Sequence, residues 1–142
     1  MPDRWFADES VLGFGKLLAR ERDGVLYPGH PALPSVPLGS SDVVWMRVAA
    51  DLGLVAFHRD KHIRSRPLEV AQFHRHGLRS VWLAGKKDMS APAQLDLALR
   101  HWDSLERLVA DLGAGPWSLT LTAHGFAELV WTPLARKRGG RV

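Results

Sequence analysis

Four short apolar runs, each followed downstream by a stretch of helical periodicity, restrict the fold of this chain more than any other feature. Arg4-Trp5-Phe6-Ala7 ends in Asp8-Glu9-Ser10 and reads as a first strand, and residues 11–22 then read as a helix closed by Gly24. Val25-Leu26-Tyr27 is a second short strand, followed by a surface loop from Pro28 to Gly39 in which four prolines forbid regular structure. Ser40 and Ser41 supply capping hydroxyls for a helix over 42–52 that stops at Gly53. That helix is apolar on most sides (Val44, Trp45, Val48, Ala49, Leu52), which predicts burial between neighbours. Leu54-Val55-Ala56-Phe57 is a third strand, residues 67–76 a helix ended by Gly77, and Ser80-Val81-Trp82-Leu83 a fourth strand. A polar turn at 85–88 leads to one long helix over 92–112, with Leu95, Ala98, Trp102, Leu105, Val109 and Leu112 on a single stripe. Residues 117–122 and 128–132 read as a terminal strand pair. The expected fold class is therefore α/β: a central, mostly parallel sheet in three layers, wound by right-handed crossovers, with a C-terminal strand pair.

The 142 residues are 46% apolar and 24% charged, which suits one cored domain and excludes wholesale disorder. No apolar run reaches the length of a membrane span, and MPDRWFADES lacks a signal-peptide apolar region, so no membrane partner and a cytoplasmic location are expected. The absence of cysteine excludes disulfides, thiolate zinc sites and cysteine nucleophiles, and suits a reducing compartment. The net charge of +4 is unevenly spread: residues 58–87 carry eight Lys/Arg against two Asp/Glu, whereas residues 88–135 carry two against six. Residues 1–135 are expected to form one domain, and 136–142, with Arg136, Lys137, Arg138 and Arg141, a disordered basic tail. A basic block of this kind is either a solvated surface or a contact for a polyanion.

In parallel sheets ligands sit beyond the C-terminal ends of the strands. Asp8 and Glu9 follow the first strand, Asp60 follows the third, and Asp42 opens the helix that enters the third strand, so all four belong at one edge. Two like charges about 4 Å apart repel by roughly 4 kcal/mol at an effective dielectric of about 20. Such a cluster calls for protonation, basic partners or a cation, and hard oxygen donors without cysteine suit Mg²⁺ or Mn²⁺. Each acid also has a structural role open to it. Asp42 complements its helix dipole, Asp8 and Glu9 cap the first helix, and Asp60 pairs with Arg59 or Lys61.

Ser41-Asp42-Val43-Val44-Trp45 and the run from Ala49 through Phe57-His58-Arg59-Asp60 to Ile63 resemble the core signature of PIN-domain nucleases, and Trp5-Phe6-Ala7-Asp8-Glu9 resembles the family's first strand and first acid. Pro67-Leu68-Glu69 and Gly77–Leu83 further resemble the short toxins of bacterial VapBC-type toxin–antitoxin pairs, so the likeness spans about residues 4–84. The resemblance implies a metal-dependent endoribonuclease with Asp8, Asp42 and Asp60 as metal ligands and catalytic acids, Glu9 assisting, an RNA substrate and a cognate antitoxin partner. It also implies water attack in line at phosphorus, leaving 5′-phosphate and 3′-hydroxyl ends; a homodimer is a further expectation. Two departures stand out. The family's further acid, between the first acid and the Asp42 position, has no match in the proline loop, where Glu9 is the nearest substitute and Glu21 lies far along the helix; and His58 stands where the family has Thr or Ser.

Arg59, Lys61, Arg64 and Arg66 lie beside the last acid and are candidates to attract an RNA backbone without sequence preference. His58 and His62 have metal-ligand spacing on a helix, but His58 belongs to the strand, so that geometry fails. Most of the six tryptophans fall in apolar patterns, while Trp117 and Trp131 on the terminal strands are candidates for a partner surface. Two rival functions use the same residues. A receiver-like signalling domain would hold Mg²⁺ at Asp8 and Glu9 and accept phosphate at Asp60, leaving Asp42 idle and lacking a Lys after the fifth strand. A non-catalytic RNA- or protein-binding module would account for the missing acid.

Overall fold

The structure, a computed structural model, describes residues 4–59, 67–83 and 89–128. The elements are β1 (Trp5–Ala7), a single 3₁₀ turn (Glu9–Val11), α1 (Leu12–Glu21), β2 (Val25–Leu26), α2 (Asp42–Asp51), β3 (Val55–His58), α3 (Pro67–His76), β4 (Arg79–Trp82), α4 (Ala91–Arg100), α5 (Trp102–Leu112), β5 (Trp117–Thr122) and β6 (Gly125–Glu128). They build one six-stranded sheet in the order β2-β1-β3-β4-β5-β6. All neighbours are parallel except β5 and β6, which pair antiparallel. The expected α/β class with a closing strand pair is what the chain forms. Because β2 and β3 lie on opposite sides of β1, the strand order reverses there, and the crevice such a reversal opens lies over the carboxyl ends of β1 and β3.

Alternation along the strands divides the core. Trp5, Ala7, Val55, Phe57, Val81, Leu119 and Leu121 face α1, α4 and α5, whereas Phe6, Leu26 and Ala56 face α2, α3 and the buried loop residues Leu33 and Val36. Three neighbouring strands thus bury side chains on both faces, as parallel strands covered by two helical layers must.

Several sequence expectations are corrected. The long helix over 92–112 is two helices meeting at His101, whose backbone (φ −110°, ψ 17°) leaves the α region. His101 N–H bonds to Ala98 O, three residues back, so the turn tightens there. α4 can then pack on α1 while Trp102 lies on Trp5, 4.9 Å between ring centroids. The apolar stripe continues inward on both sides of the break, which is why periodicity alone reads straight through it. In α2, Trp45, Met46 and Ala49 are buried, but Val44 and Leu52 are 37% and 53% exposed, so the helix has an outer face after all. β6 begins at Gly125, directly after the turn at Ala123 and His124, rather than at Glu128. Trp117 is buried with its indole N–H on Gly113 O and offers no partner surface. Trp131, the turn at 85–88 and the tail at 136–142 lie outside the described residues. Among the described residues, no helix is long and apolar enough to cross a membrane.

Candidate active site

β1 ends because Asp8 turns its side chain back onto the chain. Asp8 N–H still donates to Phe57 O (2.9 Å), extending the β1–β3 ladder by one bond. The Asp8 carboxylate then caps the 3₁₀ turn: Oδ2 accepts from Ser10 N–H at 3.2 Å and from Ser10 Oγ–H at 2.8 Å. Asp8 is only 5% exposed, and it stands at the carboxyl edge of the first strand. The Ser10 hydroxyl does two jobs, since it also accepts the backbone N–H of Arg59 at 3.0 Å. One hydroxyl therefore ties the acid after β1 to the chain leaving β3. Sequence reading missed Ser10; the Asp-x-Ser spacing, which favours a side-chain-to-backbone turn, was the available signal.

Glu9, next along, faces the proline loop. Its Oε1 accepts from Gly39 N–H at 2.7 Å, which anchors the end of the loop beside β1. Gly39 itself has φ +86°, a left-handed conformation that a side chain would strain. Two residues on, Ser41 caps α2 by accepting from Val44 N–H. Asp42 then occupies the first turn of α2, near the positive end of its dipole. Its Oδ1 accepts the indole N–H of Trp45 at 2.9 Å. Trp45 stacks on Phe6, 5.4 Å between centroids, and lies 6.4 Å from the ring of His58, the buried last residue of β3. Since α2 runs back to the start of β3, its N-terminus lies at the edge where the strands end, with Asp8.

Asp8 and Glu9 thus follow β1 and Asp42 opens α2, with Asp8 accepting from Ser10, Glu9 from Gly39 and Asp42 from Trp45. The structural roles weighed for two of them are also present: Asp8 caps a helical turn and Asp42 stands at a helix N-terminus. Glu9 does not cap the helix; it holds the loop. Glu21 ends α1 at the opposite edge, where the strands begin, and does not join them. Arg59 contributes its backbone N–H at the crevice. Asp60, Lys61, His62, Arg64 and Arg66 lie outside the described residues. Among the described residues, no group of three or more His, Cys, Asp or Glu stands together as a metal site.

A family model for a PIN-like domain matches residues 4–85, from the residue before β1 to just past β4. The chain belongs to the PIN-like domain family. The match takes in Asp8, Glu9, Asp42 and Asp60, and PIN-like domains are generally nucleases, so the family gives this chain a nuclease-type function. Nothing in the match favours a phospho-acceptor or a purely binding role. No curated protein and no solved structure matches the chain.

Proposed function

We propose that this PIN-like protein is a metal-dependent endoribonuclease that acts in the cytoplasm as the toxin of a type II toxin–antitoxin pair, restrained by a cognate antitoxin. The observation that carries the reading is the buried Asp8 carboxylate at the end of β1, held by a hydroxyl that also receives the backbone leaving β3. Asp8, Asp42 and Asp60 would hold Mg²⁺ or Mn²⁺. The donor chemistry supports this: Asp8 follows β1 and Asp42 opens α2, Ser10 donating to the first and the Trp45 indole to the second, and hard oxygens are what these ions take. A divalent cation bound there supplies charge neutralisation and activation of water for in-line attack at phosphorus.

The chain's own residues supply orientation and substrate capture. Ser10 and the Trp45 indole fix the carboxylates by donating to them, the kind of support whose loss costs metal sites about ten- to a hundredfold. Glu9 acts at one remove, by holding the proline loop at Gly39. Arg59, Lys61, Arg64 and Arg66 would draw in the RNA backbone, giving salt-dependent affinity without sequence preference. The products would carry 5′-phosphate and 3′-hydroxyl ends.

Incubation of the protein with RNA in Mg²⁺ or Mn²⁺, against an EDTA control, tests the reading. Asp8→Asn, Asp42→Asn and Asp60→Asn should each abolish cleavage. Asp8→Asn should melt no lower than the unsubstituted protein in EDTA, because Asn caps as well as Asp and removes a repulsive charge. Mg²⁺ should raise the melting temperature of the unsubstituted protein more than that of the variant. Cleavage by Asp60→Asn at the original rate would sink the assignment. The toxin role is tested at the neighbouring reading frame, which should encode a small DNA-binding protein that silences cleavage.

A further inference from the structure

Just past β2, the Tyr27 ring gathers two nitrogen groups. Lys16 Nζ, reaching from α1, lies 6.0 Å from the ring centroid, and the His30 imidazole meets the ring edge to face at 4.9 Å and 71°. His30 is fixed at a second point, where its Nδ1 accepts the Ala32 N–H at 2.9 Å. With Nδ1 accepting there, Nε2 is the ring nitrogen left to donate. Lys16 is exposed, and Tyr27 and His30 are half-exposed. Among the described residues, none of the three pairs with a carboxylate. The cluster presents an ammonium, a phenol and an imidazole N–H, with no anion of its own.

Its position ties it to the crevice. At Gly15, the residue before Lys16, an added Cβ would lie 2.4 Å from the Ala7 Cβ and 3.8 Å from the Tyr27 Cβ. Tyr27 therefore flanks the last residue of β1, which precedes Asp8. The loop carrying His30 is held at both ends: His30 N–H bonds to Tyr27 O and Gly29 N–H to Val36 O, while Gly39 is held by Glu9.

We propose that Lys16, Tyr27 and His30 form a phosphate-binding subsite for single-stranded RNA, receiving a backbone phosphate that flanks the bond cut beside Asp8; this rests on the ribonuclease reading above. A phosphodiester offers one negative charge and acceptor oxygens only. The ammonium and the Nε2–H supply complementary donors, and both lie against the Tyr27 ring. Contacts of this kind position a strand and carry no sequence information.

Fluorescence anisotropy of a labelled single-stranded RNA of mixed sequence, in EDTA and over a salt series, tests the subsite apart from cleavage. Lys16→Gln and His30→Ala should each weaken binding about three- to tenfold. Lys16→Gln should also lower the slope of log affinity against log salt by about 0.7, the share of one phosphate contact on a single strand. His30→Ala should lower that slope less than Lys16→Gln does, since it removes a hydrogen-bond donor and leaves the ammonium in place. Lys16→Gln should melt as the unsubstituted protein does, and His30→Ala slightly lower, since it also gives up the bond from Ala32 N–H. A protein carrying both substitutions that binds with unaltered affinity and slope overturns the subsite and leaves the ribonuclease reading standing, because that reading is judged by cleavage in Mg²⁺. Failure of the unsubstituted protein to bind RNA also overturns the subsite, and if cleavage fails as well the ribonuclease reading falls with it.

Discussion

The two edges of the sheet use polar groups in opposite ways. Where the strands end, the polar groups are carboxylates: Asp8, Glu9 and Asp42 are acceptors held by Ser10, Gly39 and Trp45. Where the strands begin, arginines lie on tryptophans. Arg4 sits 4.9 Å from the Trp5 ring and bonds to Glu106, and Arg79 sits 6.0 Å from the Trp117 ring and donates to Gly53 O. Arg22 covers Trp102, which in turn lies on Trp5. Burial, and then the neighbouring Arg4, push the Arg79 guanidinium below its ordinary pKa. The arginine edge is a seal, in which cations cover aromatic rings and satisfy main-chain or carboxylate oxygens. The other edge instead holds its carboxylates with hydroxyl, amide and indole donors. A parallel sheet allows this separation because all its strand ends of one kind share an edge.

If the edges are so divided, damage to the seal should cost stability and spare chemistry. Trp5 touches Phe57 and Trp102 and is almost wholly buried, so Trp5→Ala should cost about 3–5 kcal/mol in denaturant unfolding. Any folded fraction should still cleave at the original rate per molecule. A smaller effect is expected at Gly15, where α1 crosses the end of β1. A methyl group there would stand 2.4 Å from the Ala7 Cβ, so Gly15→Ala should cost about 1–3 kcal/mol through overpacking. Because Ala7 precedes Asp8, this substitution should also slow cleavage, and a stability loss with unaltered cleavage would show that the crevice does not depend on how α1 seats against β1.

The fold was legible where local signals and tertiary packing agree. Ser41 before Asp42, and Gly24, Gly53 and Gly77 with positive φ, mark helix boundaries that hold within a residue or two. Asp8 could be placed at the end of β1 because an apolar run followed by a carboxylate locates an edge before any contact is known. What escaped depends on distant partners. The break at His101 falls between a helix packed on α1 and one whose Trp102 lies on Trp5, and it preserves the apolar stripe that periodicity reads. Val44 and Leu52 look like core residues by type, yet nothing covers them among the described residues. Ser10 gains its importance from Arg59, 49 residues away, and Glu9 from Gly39, 30 residues away. Sequence names the acids; only the fold shows which groups hold them.

Ser10 sharpens the comparison from the acidic side. Ser10→Ala removes the hydroxyl shared by Asp8 and Arg59, so cleavage should fall about ten- to a hundredfold. The accompanying stability loss should be only about 1 kcal/mol, because the backbone bond from Ser10 N–H to Asp8 remains. Equal cleavage by the variant and the unsubstituted protein would mean that Asp8 needs no orienting partner.

The smallest effect is expected at the arginine edge, where charge is secondary to packing. Glu106 accepts from Arg4 Nη2 at 2.6 Å and from the Trp102 indole N–H at 3.3 Å, with both ion-pair side chains well exposed (44% and 36%). Glu106→Gln deletes the charge and keeps one of the two oxygen acceptors, the other becoming an amide NH₂. Exposed pairs contribute about 0–1 kcal/mol, so the loss should be under about 1 kcal/mol in low salt. At about 1 M salt, where the screening length shrinks to about 3 Å, the difference should vanish. Cleavage should not change. A salt-independent loss of about 2 kcal/mol or more would make the ion pair a structural element in its own right, and the arginine edge would then rest on charge, as the acidic edge does, rather than on tryptophan burial.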